Sequence, residues 1–208
     1  MALSRAAFAA GLFAAALSVG CGSAPPAQGL HTTPAGLGRN PYSDADVDFM
    51  SGMIPHHAQA VIMAGWCDSH GARHDVATLC GRIVVAQRDE IKLMQTWLSD
   101  RGLPVPDATS TRHHMKMPNG MEHDMLMPGM LTDEEMAALD RARGPEFDRL
   151  FLERMIRHHQ GAIDMVDVLF KAYGAAQDET VFKFANDVQA DQAVEINVMK
   201  DMLDRAAD

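Results

Sequence analysis

Met53-Ile54-Pro55-His56-His57 returns 102 positions later as Met155-Ile156-Arg157-His158-His159. Asp46, Phe49 and Met63 have counterparts at the same offset in Asp148, Phe151 and Met165. A second echo follows each copy: Gln87, Glu90, Ile91 and Met94 match Gln192, Glu195, Ile196 and Met199 at an offset of 105. Each half therefore reads as a helix bearing His-His, a turn, and a helix bearing Gln-x-x-Glu-Ile-x-x-Met. Self-similarity of this length marks an internal duplication.

Local signals place the helices around these motifs. Ser43, with Asp46 three residues on, predicts a capped start to a helix running to about His70. Pro55 lies inside that run. It lacks a backbone donor and crowds the preceding turn, which predicts a kink or break just before the histidines. After Gly71 a second helix is expected over about Asp75–Asp100, with Leu79, Ile83, Ala86, Met94, Trp97 and Leu98 as its apolar stripe. Thr132-Asp133-Glu134-Glu135 is a capping box for a short helix to about Arg143. Gly144-Pro145 stops that helix and opens the next, which carries Phe147, Leu150, Phe151 and Val166. A last helix is expected over about Asp178–Arg205. Strand-like alternation is absent. The predicted fold is all-α, an antiparallel four-helix bundle of two duplicated hairpins (43–104 and 132–208) joined by a loop over 105–131.

The first 20 residues read as an export signal, with Arg5 ahead of the apolar run Ala6–Leu17. Ser18-Val19-Gly20-Cys21 resembles a lipobox, although Leu17 sits one place early. The expectation is lipidation at Cys21, a disordered Pro/Gly-rich tether over 21–42, and a membrane held only through the lipid. Plain secretion is the alternative. Export puts Cys67 and Cys80 in an oxidising compartment, where a disulfide stapling the first turn is favoured over a thiolate metal pair. The formal charge is −10, and it becomes −11 once Arg5 leaves with the signal. Nucleic acid, which needs a basic face, is excluded as a partner.

Residues three and four apart share a helical face. Met53, His56, His57 and Met63 thus point to the core together, as do Met155, His158, His159 and Met165. Gln87, Glu90 and Met94, with Gln192, Glu195 and Met199, meet them from the following helices. Buried imidazole and carboxylate require partners. They can satisfy one another while methionine packs, or they can bind metal with the carboxylate as ligand or orienter. A di-iron site is rejected, since neither His-His has a Glu three residues before it.

The insert between the halves carries His113, His114, Met115, Met117, Met121, His123, Met125, Met127 and Met130. Pro and Gly rule out a regular helix there. Closely spaced methionines on a flexible loop do not form a core stripe, and soft thioethers with imidazole select Cu(I) and, by the same chemistry, Ag(I). Protons compete for imidazole more than for thioether, so the His-His sites are expected to weaken below about pH 6, near the free histidine pKa of roughly 6.5.

Met-Ile-Pro-His-His-Ala-Gln-Ala (53–60), Phe-Leu-Glu-Arg-Met-Ile-Arg-His-His-Gln-Gly-Ala-Ile-Asp-Met (151–165) and the paired Gln-x-x-Glu-Ile-x-x-Met together resemble the DUF305 family, over about Ser43–Leu203. The resemblance implies an exported, ferritin-like four-helix bundle and, from some members, periplasmic copper binding linked to copper and silver tolerance. It implies metal-site candidates at Met53, His56, His57, Met63, Met155, His158, His159 and Met165. Arg157 departs from the family's usual proline and sets a cation beside His158.

These features point to an exported copper-binding protein handling mainly Cu(I), with Cu(II) at the His-His sites and Ag(I) as a competing ion. Sequestration or delivery to a metal donor or acceptor protein is the expected role. A copper oxidase-like enzyme and an adaptor whose Met-rich loop binds a protein are the alternatives. No nucleophile–base arrangement supports an enzyme, and the Cys-His-Met set of an electron-transfer copper site is missing.

Overall fold

The computed structural model describes residues 29–31, 41–116 and 122–207. Five helices carry the fold: α1 (Asp44–Gly65), α2 (His74–Ser99), α3 (Asp133–Arg141), α4 (Pro145–Lys171) and α5 (Glu179–Ala207). Two short antiparallel strand pairs accompany them: β1 (Leu30–His31) with β2 (Tyr42–Ser43), and β3 (His113–Lys116) with β4 (Glu122–Met125). Cys21 and most of the expected tether lie outside the described residues.

The helix starts follow from their caps. Asp46 N–H donates to Ser43 Oγ, and Ser43 N–H donates back to Asp46 Oδ2 at 2.7 Å. Asp46 Oδ1 also accepts from Ala176 N–H at 2.7 Å, tying the start of α1 to the turn before α5. Thr132 and Glu135 form the same reciprocal box on α3. Asp178 caps α5 by accepting from Thr180 N–H and Val181 N–H. Such caps contribute about 1 kcal/mol each. Contrary to expectation, α1 is not broken at Pro55: the helix runs through it, with the proline buried.

Contacts at the helix ends fix the directions. Gly144 N–H donates to the His70 carbonyl at 2.8 Å, so α4 begins where α1 ends. Arg73 donates to the Met202 carbonyl at 2.7 Å, and Trp97 Nε1–H to Asp178 at 3.0 Å, so α2 and α5 also run antiparallel. Around the bundle the order is α2, α1, α4, α5. Because α2 and α4 start at the same end, residues 100–144 must return the chain along the whole bundle.

That crossover is a strap laid along α1. His56 Nε2 donates to the Pro128 carbonyl at 3.0 Å. Gln59 brackets Leu131, donating to its carbonyl at 3.0 Å and accepting from its N–H at 2.7 Å. Farther on, His70 Nε2 is 3.0 Å from Asp140 Oδ1. The strap fits because α1 and α4 are thin where it crosses. A Cβ on Gly161 would stand 2.0 Å from the Pro128 carbonyl oxygen, and one on Gly52 2.8 Å from Met127 Cε. Among the described residues, the stretch expected to be a flexible loop holds the paired strands β3 and β4 and then a docked segment, with Met130 and Leu131 buried.

Cys67, just past α1, forms a disulfide with Cys80 in α2, with Cα atoms 6.4 Å apart. Among the described residues no helix is long and apolar enough to cross a membrane. The apolar core is divided in two. One cluster gathers Phe49, Met53, Met94, Met165 and Val188; the other gathers Met63, Ile83, Phe151, Met155 and Met199. Both draw on α1, α2, α4 and α5, and a polar layer lies between them.

Candidate metal centre

The dividing layer holds the duplicated motifs. His56 on α1 meets His158 on α4 across the bundle axis, with ring centroids 3.9 Å apart and planes inclined by 40°. One residue further along each helix, about 100° around it, the partner changes. His57 Nε2 reaches Glu90 Oε2 on α2 at 2.7 Å, and His159 Nε2 reaches Glu195 Oε2 on α5 at 2.7 Å. The result is a belt running Glu90, His57, His56, His158, His159, Glu195, with Gln87 and Gln192 beside its ends.

All four imidazoles are fully buried. Their Nδ1 atoms have no hydrogen-bond partner, and His158 Nε2 has none either. A neutral imidazole carries one N–H, so His158 buries a donor that nothing accepts, at a cost of about 1–3 kcal/mol. His56 is pushed down to about 3, chiefly by burial and then by His57, against the opposing effect of its bond to Pro128. Burial likewise holds His158 well below the ordinary histidine value, with His56 and His159 next in weight. The His56 carbonyl offsets this slightly, although it does not reach His158 with hydrogen-bond geometry. Both rings therefore stay neutral with lone pairs available through mildly acidic conditions. The expected weakening below about pH 6 took the free imidazole value, which lies above that of His56 and His158 here.

The two readings of the histidines thus divide between them. Nε2 is satisfied by Glu90 on His57, by Glu195 on His159 and by the Pro128 carbonyl on His56, which leaves Nδ1 unpartnered on each, whereas His158 has both nitrogens unpartnered. Carboxylates that accept from a ring nitrogen also fix its orientation, as outer partners of metal-bound histidines do.

The methionines divide as well. Met53, Met63, Met94, Met155 and Met199 are wholly buried in the two apolar clusters and pack as ordinary core residues. Met165, buried in the first of those clusters, and Met127, packed half-buried against it, also meet under the strap. They converge on Gly52, with Met127 Sδ 3.5 Å and Met165 Cε 3.6 Å from the position a Cβ would take there. Both also line a crevice of about 320 Å³ beneath the strap, with Phe49 and Pro128. Met130 Sδ lies 3.2 Å from Met127 N. Met127 and Met165 thus meet at Gly52 on the α1/α4 seam, one helical turn before His56 on α1.

The hairpin carries the remaining candidates. His113 lines a groove of about 390 Å³ with Asp48, Ser51 and His114. Burial lowers His113 and raises Asp48, and the attraction between them opposes both shifts. His114 pairs with Asp124 across the strands, and Met125 is partly exposed. The backbone at Met115 and His123 is paired; Met117 and Met121 lie outside the described residues. Among the described residues no group of three or more His, Cys, Asp or Glu side chains stands ready to hold an ion. A site here needs thioether or amide donors alongside the imidazoles.

Sequence reasoning missed Gln59, Gly52, Gly161 and the Pro128 carbonyl, which dock the strap. The signal available was glycine inside two strongly helical runs, four residues before His56 and three after His158. Arg157, set beside His158 in sequence, turns outward and pairs with Glu135 at 2.6 Å. That contact holds the Glu135 carboxyl down to about 2.

The family described as "Domain of unknown function (DUF305)" matches residues 46–203. A DUF305 protein from Streptomyces coelicolor, described as a candidate secreted protein, is 27% identical with a TM-score of 0.66, covering 78% of this chain and 94% of that one. CopM in its Cu(I)-bound form is 27% identical with a TM-score of 0.58, covering 77% of this chain and 96% of that one. CopM also has Cu(II)-bound and silver-bound structures, each 28% identical to this chain. An uncharacterized protein of Acanthamoeba polyphaga mimivirus is 33% identical over 58 residues, 28% of this chain and 38% of that protein's length.

Proposed function

This chain belongs to the DUF305 family, and we propose that it is an exported copper-binding protein that takes mainly Cu(I), and Ag(I) by the same chemistry. The observation that carries the reading is the His56–His158 pair: two buried neutral rings in contact, with three of their four nitrogens unpartnered. Nitrogen left dry in this way is costly unless something binds it. Met127 and Met165 converge on Gly52, one helical turn before His56, and soft donors with imidazole suit Cu(I) and Ag(I) over hard cations. The copper- and silver-bound forms of CopM support the same ion class. Glu90 and Glu195 orient His57 and His159. The Met- and His-bearing hairpin captures the ion at the surface and the seam holds it for sequestration or hand-over to a donor or acceptor protein. The leader at 1–20, the lipobox-like Cys21 and the candidate secreted relative support an extracytoplasmic location.

Anaerobic Cu(I) titration, with Ag(I), Cu(II), Zn(II) and Fe(II) in parallel, tests this. H56A/H158A and M127I/M165I should each lose affinity for the soft ions at least tenfold, while H57Q/H159Q loses less. Stoichiometry and affinity for every ion unchanged in all three variants would refute the reading.

A further inference from the structure

Exposed aromatic side chains gather at one end of the bundle. Among the described residues the large aromatics open to solvent are Phe170, Tyr173 and Phe182, at 39%, 81% and 53%. Phe170 stands in the last turn of α4, Tyr173 in the turn that follows, and Phe182 in the first turn of α5. The rings of Phe170 and Phe182 meet edge to face, with centroids 6.0 Å apart. Lys171 and Lys183 flank them, their side chains 79% and 74% exposed. We propose that this end of the bundle rests on a lipid surface, with the three rings seated at headgroup depth.

The course of the chain says what covers the patch. β1 lies against the start of α1: Leu30 pairs with Ser43, and a Cβ on Gly29 would stand 3.4 Å from Asp44 Oδ2. The bond from Ala176 N–H to Asp46 sets the start of α1 beside the α4–α5 turn that carries Tyr173. Cys21 therefore lies eight residues ahead of the end that bears the aromatics. Eight residues reach at most about 29 Å, whereas α5, with 29 residues, is about 44 Å long. A lipid on Cys21 would hold this end near the bilayer and leave the end with the Cys67–Cys80 disulfide away from it. The inference rests on the expected Cys21 anchor for proximity alone.

The side chains suit that position. Aromatic rings favour the level of the headgroups, where the ring leaves water and a hydroxyl such as that of Tyr173 keeps its hydration. Lysine stems lie along the apolar layer while their ammonium groups reach outward. Lys171 and Lys183 have carboxylate partners in Asp167 and Asp187, so they add no net positive charge here. With a formal charge of −10 on the chain, the surface it fits is zwitterionic rather than anionic.

Of the three cysteines, Cys21 is the one outside the disulfide. The full chain can therefore be coupled through it to maleimide-bearing phosphatidylcholine vesicles, whether or not cells lipidate it. Y173W reports the contact. Lipid brominated on its acyl chains should quench the added tryptophan about twofold and shift its emission to the blue, while Trp66, just past the far end of α1, stays unquenched. Y173W/F170S/F182S should lose most of that quenching, and anionic phosphatidylglycerol in the vesicles should reduce it. Circular dichroism checks folding; if the triple variant is not folded, Y173W/F182S decides. Absence of quenching in Y173W, equal quenching in the folded variants, or burial of the added tryptophan by self-association of uncoupled chain instead of by lipid overturns the proposal. Because attachment is chemical and no metal is present, the result is independent of lipidation in cells and of the copper reading.

Discussion

Lowering the pH should destabilise the metal-free protein through His56 and His158, and the size of the effect follows from their burial. Both rings have folded-state values below the free one, His56 at about 3 and His158 also well down. Between those values and about 6.5 the unfolded chain binds protons that the folded chain refuses, so stability falls as pH falls. For His56, with its folded value at about 3, the loss from pH 8 to pH 5 is about 2 kcal/mol, and His158 adds to it in the same direction. Against a total stability of about 5–15 kcal/mol this is large. Asp48 and Asp148, raised by burial, work the other way at the acid end of the range. Comparison with H56Q/H158Q removes their contribution, because the carboxylates are common to both proteins. Urea unfolding of metal-free wild type and variant at pH 8 and pH 5 measures the difference. The variant should lose less than wild type over this range, by about 2 kcal/mol for His56 and a further amount of the same sign for His158. Equal losses would refute the assignment of both rings as buried and neutral.

Three further outcomes are expected. G161A adds a methyl where only 2.0 Å separates the Cβ position from the Pro128 carbonyl oxygen, so it should lift the strap despite alanine's better helix propensity, costing about 1–3 kcal/mol; limited proteolysis within 113–131 should accelerate. C67S/C80S opens a short loop closed by residues 13 apart and should lose about 3 kcal/mol in the chain-entropy account, read by calorimetry. D178A removes the cap of α5 and strands Arg101, whose side chain is 5% exposed in its pair with Asp178; a loss of about 3–5 kcal/mol by denaturant unfolding is expected.

Much of the architecture was legible because its signals are local. The caps at Ser43 and Thr132, the Gly144-Pro145 boundary and the duplicated motifs each specify a few residues of backbone, and together they give the bundle. The crossover was not legible, because Pro128, Gly129 and Leu131 have no periodicity; their positions come from Gly52, Gln59 and Gly161, far away in sequence. Pro55 was misjudged because a buried helix held on several sides tolerates a missing donor that would break an isolated one. The site was legible as a set of residue types and illegible as a geometry. Adjacent histidines look equivalent in a sequence, yet a 100° step sends His56 to another histidine and His57 to a carboxylate. Methionine carries the same ambiguity: Met53, Met155 and Met165 all lie in the core clusters, yet only Met165 also lines the crevice beneath the strap, and helical spacing does not tell them apart.

The division of the core has an ancestral consequence. Each apolar cluster is assembled from both hairpins, so a half-length chain would carry half of two cores and complete neither. Such a chain would bury its apolar face only against a second copy related by a two-fold axis. That axis survives here between His56 and His158, where a residue meets its own repeat. The present bundle has the arrangement that fusing such a symmetric dimer would leave. Fusion would have released its two sides to diverge, with Pro55 on one, Arg157 on the other, and a crossover strap that no symmetric pair would need.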